Sequence, residues 1–252
     1  MVNPLNFPLL VLVVSLFVFW SCTWIGAWFR ARHRDTKEDS HDDFTFIVGG
    51  ALTLLALIIG FTFSMAVTRY DQRKNYEEQE ANAIGTQYVR ADLLPQADAV
   101  RMRALLRGYL DQRILYYTTR GLDLRHQIDV QTARLQTEMW GAVTTPALAQ
   151  PTPLAALVVA GMNDVLNSQG YTQAAWWNRI PIAAWALLVT ISIFCNVLVG
   201  YVAHQRSTLL FLILPIALSI SLSLIADIDS PLGGLIRVRP DNLNALAESL
   251  RP

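Results

Sequence analysis

Residues 60–80 read GFTFSMAVTRYDQRKNYEEQE: an apolar run enters one of the most charged parts of the chain, with no proline and no glycine after Gly60. Glu77, Glu78 and Glu80 sit among good helix formers, and nothing in the stretch breaks a helix. The reading is one continuous rod that leaves the lipid and runs on in water through about Ala83. Everything else in the chain has to be arranged around such a rod.

Composition supports a membrane protein. Of 252 residues, 53% are hydrophobic and 16% charged, with a mean hydropathy of +0.32; ordinary soluble domains carry about 25% charged residues. Lys plus Arg and Asp plus Glu are 20 each, a net charge of +0, so bulk charge points to no nucleic-acid partner. Cys22 and Cys195 lie inside apolar runs and read as small buried hydrophobes. Four stretches free of Lys, Arg, Asp and Glu are long enough to cross a bilayer: Phe7 to Phe29, Phe44 to Val67, Ile180 to Ala203 and Thr208 to Ala226. The leader MVNPLN has no basic residue and no small-residue cleavage site follows, so the first stretch is read as a retained span. Trp20, Trp24 and Trp28 recur on one face as a lipid-anchoring belt.

The predicted organisation is a first transmembrane hairpin over residues 1–67, a helical extramembrane insert over 68–179, a second hairpin over 180–226 and a tail over 227–252. Within the insert, Val100, Leu105, Leu106, Tyr109, Leu110 and Ile114 fall near helical spacing with charges between them. A second helix is expected over Asp123 to Val143. TTPALAQPTP then breaks the chain, and Pro153 opens a further helix through about Leu166. No convincing strand alternation appears, and the fold class is all-α. The first loop, RARHRDTKEDSHDD, holds four Lys/Arg, which favours an extracytoplasmic insert. Arg69, Arg73 and Lys74, with Arg237, Arg239 and Arg251, pull the other way, so the sequence assigns the insert to neither side.

Catalytic signatures are missing: no HExxH, CxxC, G-x-S-x-G, P-loop or G-x-G-x-x-G occurs. The reading is therefore not an enzyme, with no cofactor and no metal site; His41 with Asp42 and Asp43 is a solvated loop. The second span is more informative. Gly49, Thr53, Ala56, Gly60, Ser64 and Thr68 form a stripe of small and weakly polar residues, continued by Asp71 and Asn75. Such a face either packs closely against another helix or lines an aqueous path. On the fourth span Ser219, Ser223 and Asp227 share a face, and Asp229 follows at the boundary. Arg69 or Arg73 is the expected partner of Asp227, because both helix ends reach the same side. Asn196 is expected to make an interhelical hydrogen bond.

The run G-F-x-x-S-x-x-V-T-R-Y, Gly60 to Tyr70, resembles the end of the second transmembrane helix in bestrophins, pentameric anion channels. EANAIG with a following Arg (Glu80 to Gly85, Arg90) and ADIDSPLGGLIRV (Ala226 to Val238) are similar to the bacterial bestrophin-like family over nearly the whole chain. That resemblance implies an oligomeric ion channel in the bacterial cytoplasmic membrane, a pentamer passing a permeant ion, anions favoured, with no nucleic acid involved. The implied pore is lined by the second helix, with constriction candidates Thr53, Leu57, Phe61 and Ser64. Arg69, Asp71, Arg73, Asp227 and Asp229 form a charged collar. Thr53 and Leu57 replace larger neck residues, and Asp227 and Asp229 are only a fragment of the family's calcium clasp. The alternative reading is a non-conducting, membrane-anchored sensor or scaffold whose insert binds a partner.

Overall fold

The computed structural model describes residues 4–32, 39–203, 208–231 and 233–251. Eight helices follow one another in the described residues: α1 (Pro8–Arg32), α2 (Asp39–Arg90), α3 (Gln96–Thr118), α4 (Leu122–Ala149), α5 (Pro153–Trp177), α6 (Ile182–Val202), α7 (Thr208–Asp229) and α8 (Asp241–Ser249). Short 3-10 turns cover Pro4–Asn6 and Ala91–Leu93, and no strand occurs among the described residues. Four helical segments are long and apolar enough to cross a membrane. The fold is thus all-α and membrane-spanning.

The local sequence explains where the helices stop. α2 has 52 residues, about 78 Å at 1.5 Å per residue, far more than a bilayer needs. It passes the expected end at Ala83 because no stop signal comes before Pro95, which follows the Ala91–Leu93 turn. Pro146 does not break α4: it sits in the last helical turn, where its carbonyl still accepts from Gln150 N at 3.0 Å. The break falls at Gln150–Thr152. There Thr152 Oγ1 accepts from Ala155 N at 3.1 Å and Pro153 occupies the first turn of α5. α5 runs past Leu166 to Trp177 because Ser168, Thr172, Ala175 and Trp176 are buried and hold its second half in place.

The chain divides into two compact units, Met1–Arg69 with Arg179–Arg237, and Tyr70–Asn178 with Val238–Pro252. In the first, α1 packs on α6 and α7. The α1–α6 crossing is backbone on backbone: a Cβ added to Gly26 would meet the Val197 carbonyl oxygen at 2.0 Å, and one on Gly200 the Thr23 carbonyl oxygen at 2.0 Å. Small residues permit this approach, and in lipid such contact replaces the hydrophobic effect as the source of cohesion. Beside it Thr23 Oγ1 lies 3.3 Å from Asn196 Oδ1, the interhelical bond expected of Asn196, whose amide donates to the Ser192 carbonyl at 2.7 Å. Of the tryptophan belt, Trp24 meets the Phe211 ring edge-on at 6.0 Å and Trp28 the Phe29 ring at 5.1 Å, and both tryptophans remain exposed.

In the second unit α3 packs on α4 and α8, and α4 on α5. Met102, Leu106, Leu110, Met139, Val143 and Met162 form its core. Each such side chain contributes about 1.5–3 kcal/mol by leaving water, so this unit is held as a soluble helical domain is.

Candidate functional site

The burial pattern along α2 shows one narrow seam. Val48, Leu55, Thr62 and Ala66 are buried in the membrane-length part, and Arg73, Glu77, Glu80, Ile84 and Gln87 continue the spacing beyond it. Steps of three, four and seven residues keep one helical face in register. Away from that seam the described residues leave much of the membrane-length part of α2 exposed. Thr53, Leu57, Phe61, Ser64 and Thr68 are all exposed, Leu57 at 53% and Phe61 at 63%. A Cβ added at Gly49, Gly50 or Gly60 would meet nothing within 4 Å. Among the described residues, the stripe of small residues therefore packs against no other helix. Thr53 and Thr68 turn their hydroxyls back onto the Gly49 and Ser64 carbonyls at 2.9 Å each, which leaves each hydroxyl oxygen still able to accept a hydrogen bond.

The two acids at the end of α7 are both engaged in the first unit. Asp227 accepts from Leu235 N at 2.7 Å and Ile236 N at 2.9 Å. Its carboxylate thus holds the returning tail. The tail folds tightly enough to need both glycines: a Cβ on Gly234 would stand 2.5 Å from Asp227 Oδ1, and one on Gly233 1.8 Å from the Asn6 carbonyl oxygen. Asp229 accepts from Ile180 N at 3.1 Å and pairs with Arg179 at 3.4 Å. Arg179 was not singled out in the sequence, where it closes a polar stretch with no distinguishing neighbour. Of the remaining collar residues, Asp71 is exposed and Arg73 is buried. The side chains of His41, Asp42 and Asp43 lie outside the described residues.

Sequence reading also missed a buried polar centre in the second unit. Glu80 receives a forked pair from Arg113, and both side chains are wholly inaccessible. Thr172 Oγ1 lies 3.1 Å from Glu80 Oε2, and the Tyr117 hydroxyl donates to that oxygen at 3.4 Å. Burial would pull the Arg113 guanidinium down, but Glu80 beside it reverses this and holds its pKa above the ordinary value. Burial pushes the Tyr109 and Tyr117 phenols well up. Arg113 then stacks on Tyr116 at 4.5 Å, Tyr116 on Arg125 at 4.3 Å, and Arg125 on Trp176 at 4.8 Å, an alternating ladder of cations and rings. Three helices, α2, α3 and α5, converge on the one carboxylate.

One turn before it, Glu77 caps α8, whose own N-cap residue, Pro240, supplies no side-chain cap. Glu77 Oε1 accepts from Leu243 N at 2.9 Å and Oε2 from Asn242 Nδ2 at 2.6 Å. Burial raises the Glu77 carboxyl pKa, with the Asn242 and Leu243 bonds opposing. The quoted EANAIG–Arg segment now has a physical account. Glu80 forms the centre, a Cβ on Gly85 would press on Leu246 at 3.1 Å, and Arg90 lies against Gly161 and pairs with Asp164 at 3.8 Å.

A family model described as Bestrophin-like domain matches residues 14–243. Among solved structures, the chain is similar to a bacterial Bestrophin homolog from Klebsiella pneumoniae, at 13% identity and a TM-score of 0.66 over 96% of this chain and 95% of that one. A tryptophan-to-alanine variant of that homolog gives 13% identity and 0.67 over 95% of both chains. A structure described as a membrane protein with a leucine-to-alanine change gives 13% and 0.66 over 94% and 95%. At these identities the likeness is one of fold. No match is found among the curated proteins.

Proposed function

This chain belongs to the Bestrophin-like domain family, and from that premise we propose that it is an oligomeric ion channel whose conducting path runs along α2. Thr53, Leu57 and Phe61 form its constriction and Ser64 lines the path beside them, with anions the favoured cargo by family resemblance. Copies assemble in the bacterial cytoplasmic membrane, five by the same resemblance, and Arg69 lends positive potential near one mouth. The observation that carries this reading is the uncovered face of α2. Only 11% of its most apolar stretch is buried, against 50% for α7. The face so left open carries hydroxyls and glycines that gain nothing from lipid tails, beside large apolar side chains. Around a symmetry axis, one part of that face meets a neighbouring copy and an adjacent part meets the pore. Rings of Leu57 and Phe61 would then narrow the path as an apolar constriction.

Purified protein fused into planar bilayers under a chloride gradient tests this. Conduction is expected from an oligomer, and Phe61→Ala is expected to raise unitary conductance by widening the neck. A folded oligomer silent under every ion gradient would falsify conduction and leave the scaffold reading. Conductance and selectivity unmoved by Phe61→Ala would remove Phe61 from the path.

A further inference from the structure

α2 is unbroken from Asp39 to Arg90, so one helical register orders the whole of it. Past the apolar run its charges come mixed in sequence, as Arg69, Asp71, Arg73, Lys74 and Glu78, and the turn of the helix sorts them by face. Steps of three and four from Ser64 lead through Thr68, Asp71, Asn75, Glu78 and Asn82, and every one of these is exposed. The same steps from Arg73 lead through Glu77, Glu80 and Ile84, which are buried. The open face that holds the constriction candidates therefore continues into the polar half of α2. The ionisable side chains it carries over these positions, Asp71 and Glu78, are both acidic.

The neighbouring cations are turned aside. Arg69 and Arg73 each stand two positions from Asp71, about 160° around the helix from it, and Arg73 is buried in the seam. Lys74 is exposed but stands about 60° to one side of Asp71. Among the described residues no ion pair engages Asp71. Its carboxylate is thus left on the lining face, ten residues or about 15 Å along the axis from Phe61. Around a symmetry axis each copy brings one such carboxylate to the same level, and the copies together make a ring of negative charge. A ring of one sign beside an apolar constriction raises the local concentration of counter-ions and lowers that of ions of its own sign.

We propose that Asp71 sets the charge selectivity of the path: its ring draws monovalent cations to the mouth and holds anions back, so this chain's own lining opposes the anion preference that resemblance implies. The inference rests on the reading of α2 as the lining of a conducting path. To test it, the full chain is reconstituted in planar bilayers under a KCl gradient, and the ratio of potassium to chloride permeability is taken from the reversal potential. Asp71→Asn, which keeps the shape and removes the charge, should lower that ratio by about tenfold. Asp123→Asn, which removes an exposed carboxylate from the first turn of α4, should leave it unchanged. Asp71→Cys gives a second reading within one folded channel, because Cys22 and Cys195 are buried: an anionic methanethiosulfonate should return the wild-type ratio, and a cationic one should lower it further. A ratio equal in wild type and Asp71→Asn, one moved as far by Asp123→Asn, or one that neither reagent shifts overturns the role of Asp71 and leaves conduction standing. A folded oligomer that passes no current overturns both.

Discussion

Glu80→Gln removes one charge from the second unit without changing the volume it fills. Arg113 remains protonated, fully buried and stacked on Tyr116, with its forked partner neutralised. Breaking one half of a buried ion pair costs about 3–5 kcal/mol, because the other half is left as an uncompensated charge. For a unit of this size that is a fall in melting temperature of about 10–20 °C. Adding Arg113→Met should restore most of the loss. A pair replaced on both sides by neutral groups is often no less stable than the original, and the new amide oxygen still accepts from Tyr117 and Thr172, the present partners of Glu80. The assay is thermal melting of the full chain in detergent for wild type, both single variants and the double variant, read as a double-mutant cycle. The reasoning is wrong if Glu80→Gln melts with wild type, or if the double variant loses the sum of the two single losses.

Three further outcomes follow from the same geometry. Glu77 has its pKa raised above 4.5, so the folded state favours its protonated form: its contribution is full below that value and is lost as pH climbs through the raised one. Glu77→Gln should therefore melt no lower than wild type at neutral pH and converge with it in acid; a variant less stable at pH 7 would contradict this. Gly200→Ala drives a Cβ into the Thr23 carbonyl and should cost about 1–3 kcal/mol or more by overpacking, seen as lowered melting, whereas Gly60→Ala has open space in the single chain. Any change in oligomer size or conductance caused by Gly60→Ala reports a neighbour beyond the chain. Gly234→Ala should free the tail from Asp227, measured as faster proteolysis over residues 230–240, and unchanged cutting would mean the tail tolerates the intrusion.

What the sequence disclosed was local. The charge-free runs, the unbroken Gly60 to Glu80 stretch and the Pro153 start each depend on neighbours within a few turns, and the helices form there. Pro146 misled because a proline past the first turn costs one backbone hydrogen bond, here the one to the Ala142 carbonyl, and α4 accommodates that loss and runs on to Ala149. The polar pairings were out of reach for another reason. Glu80 with Arg113 spans 33 positions and Ile180 with Asp229 spans 49, and no periodicity marks which acid will meet which donor. Asp227 showed the same limit: nothing local in the sequence marks the two backbone amides just downstream that its carboxylate accepts from. The exposed face of α2 was readable as unusual in composition, and burial shows that the described residues do not cover it.

Glu77 and Glu80 sit one turn apart, yet their partners are made at very different times. Arg113 follows Glu80 by 33 residues, while Asn242 follows Glu77 by 165. At synthesis speeds of about 5–20 residues per second, the Glu80–Arg113 pair can close within seconds of α2 leaving the ribosome, whereas Glu77 waits several times longer for α8. Through that interval α6 and α7 are still being made, and the Glu77 site lies open to water. Assembly of the second unit is therefore clocked by translation: a nascent chain stalled before residue 242 should hold a formed Glu80 centre and an unfilled Glu77 cap.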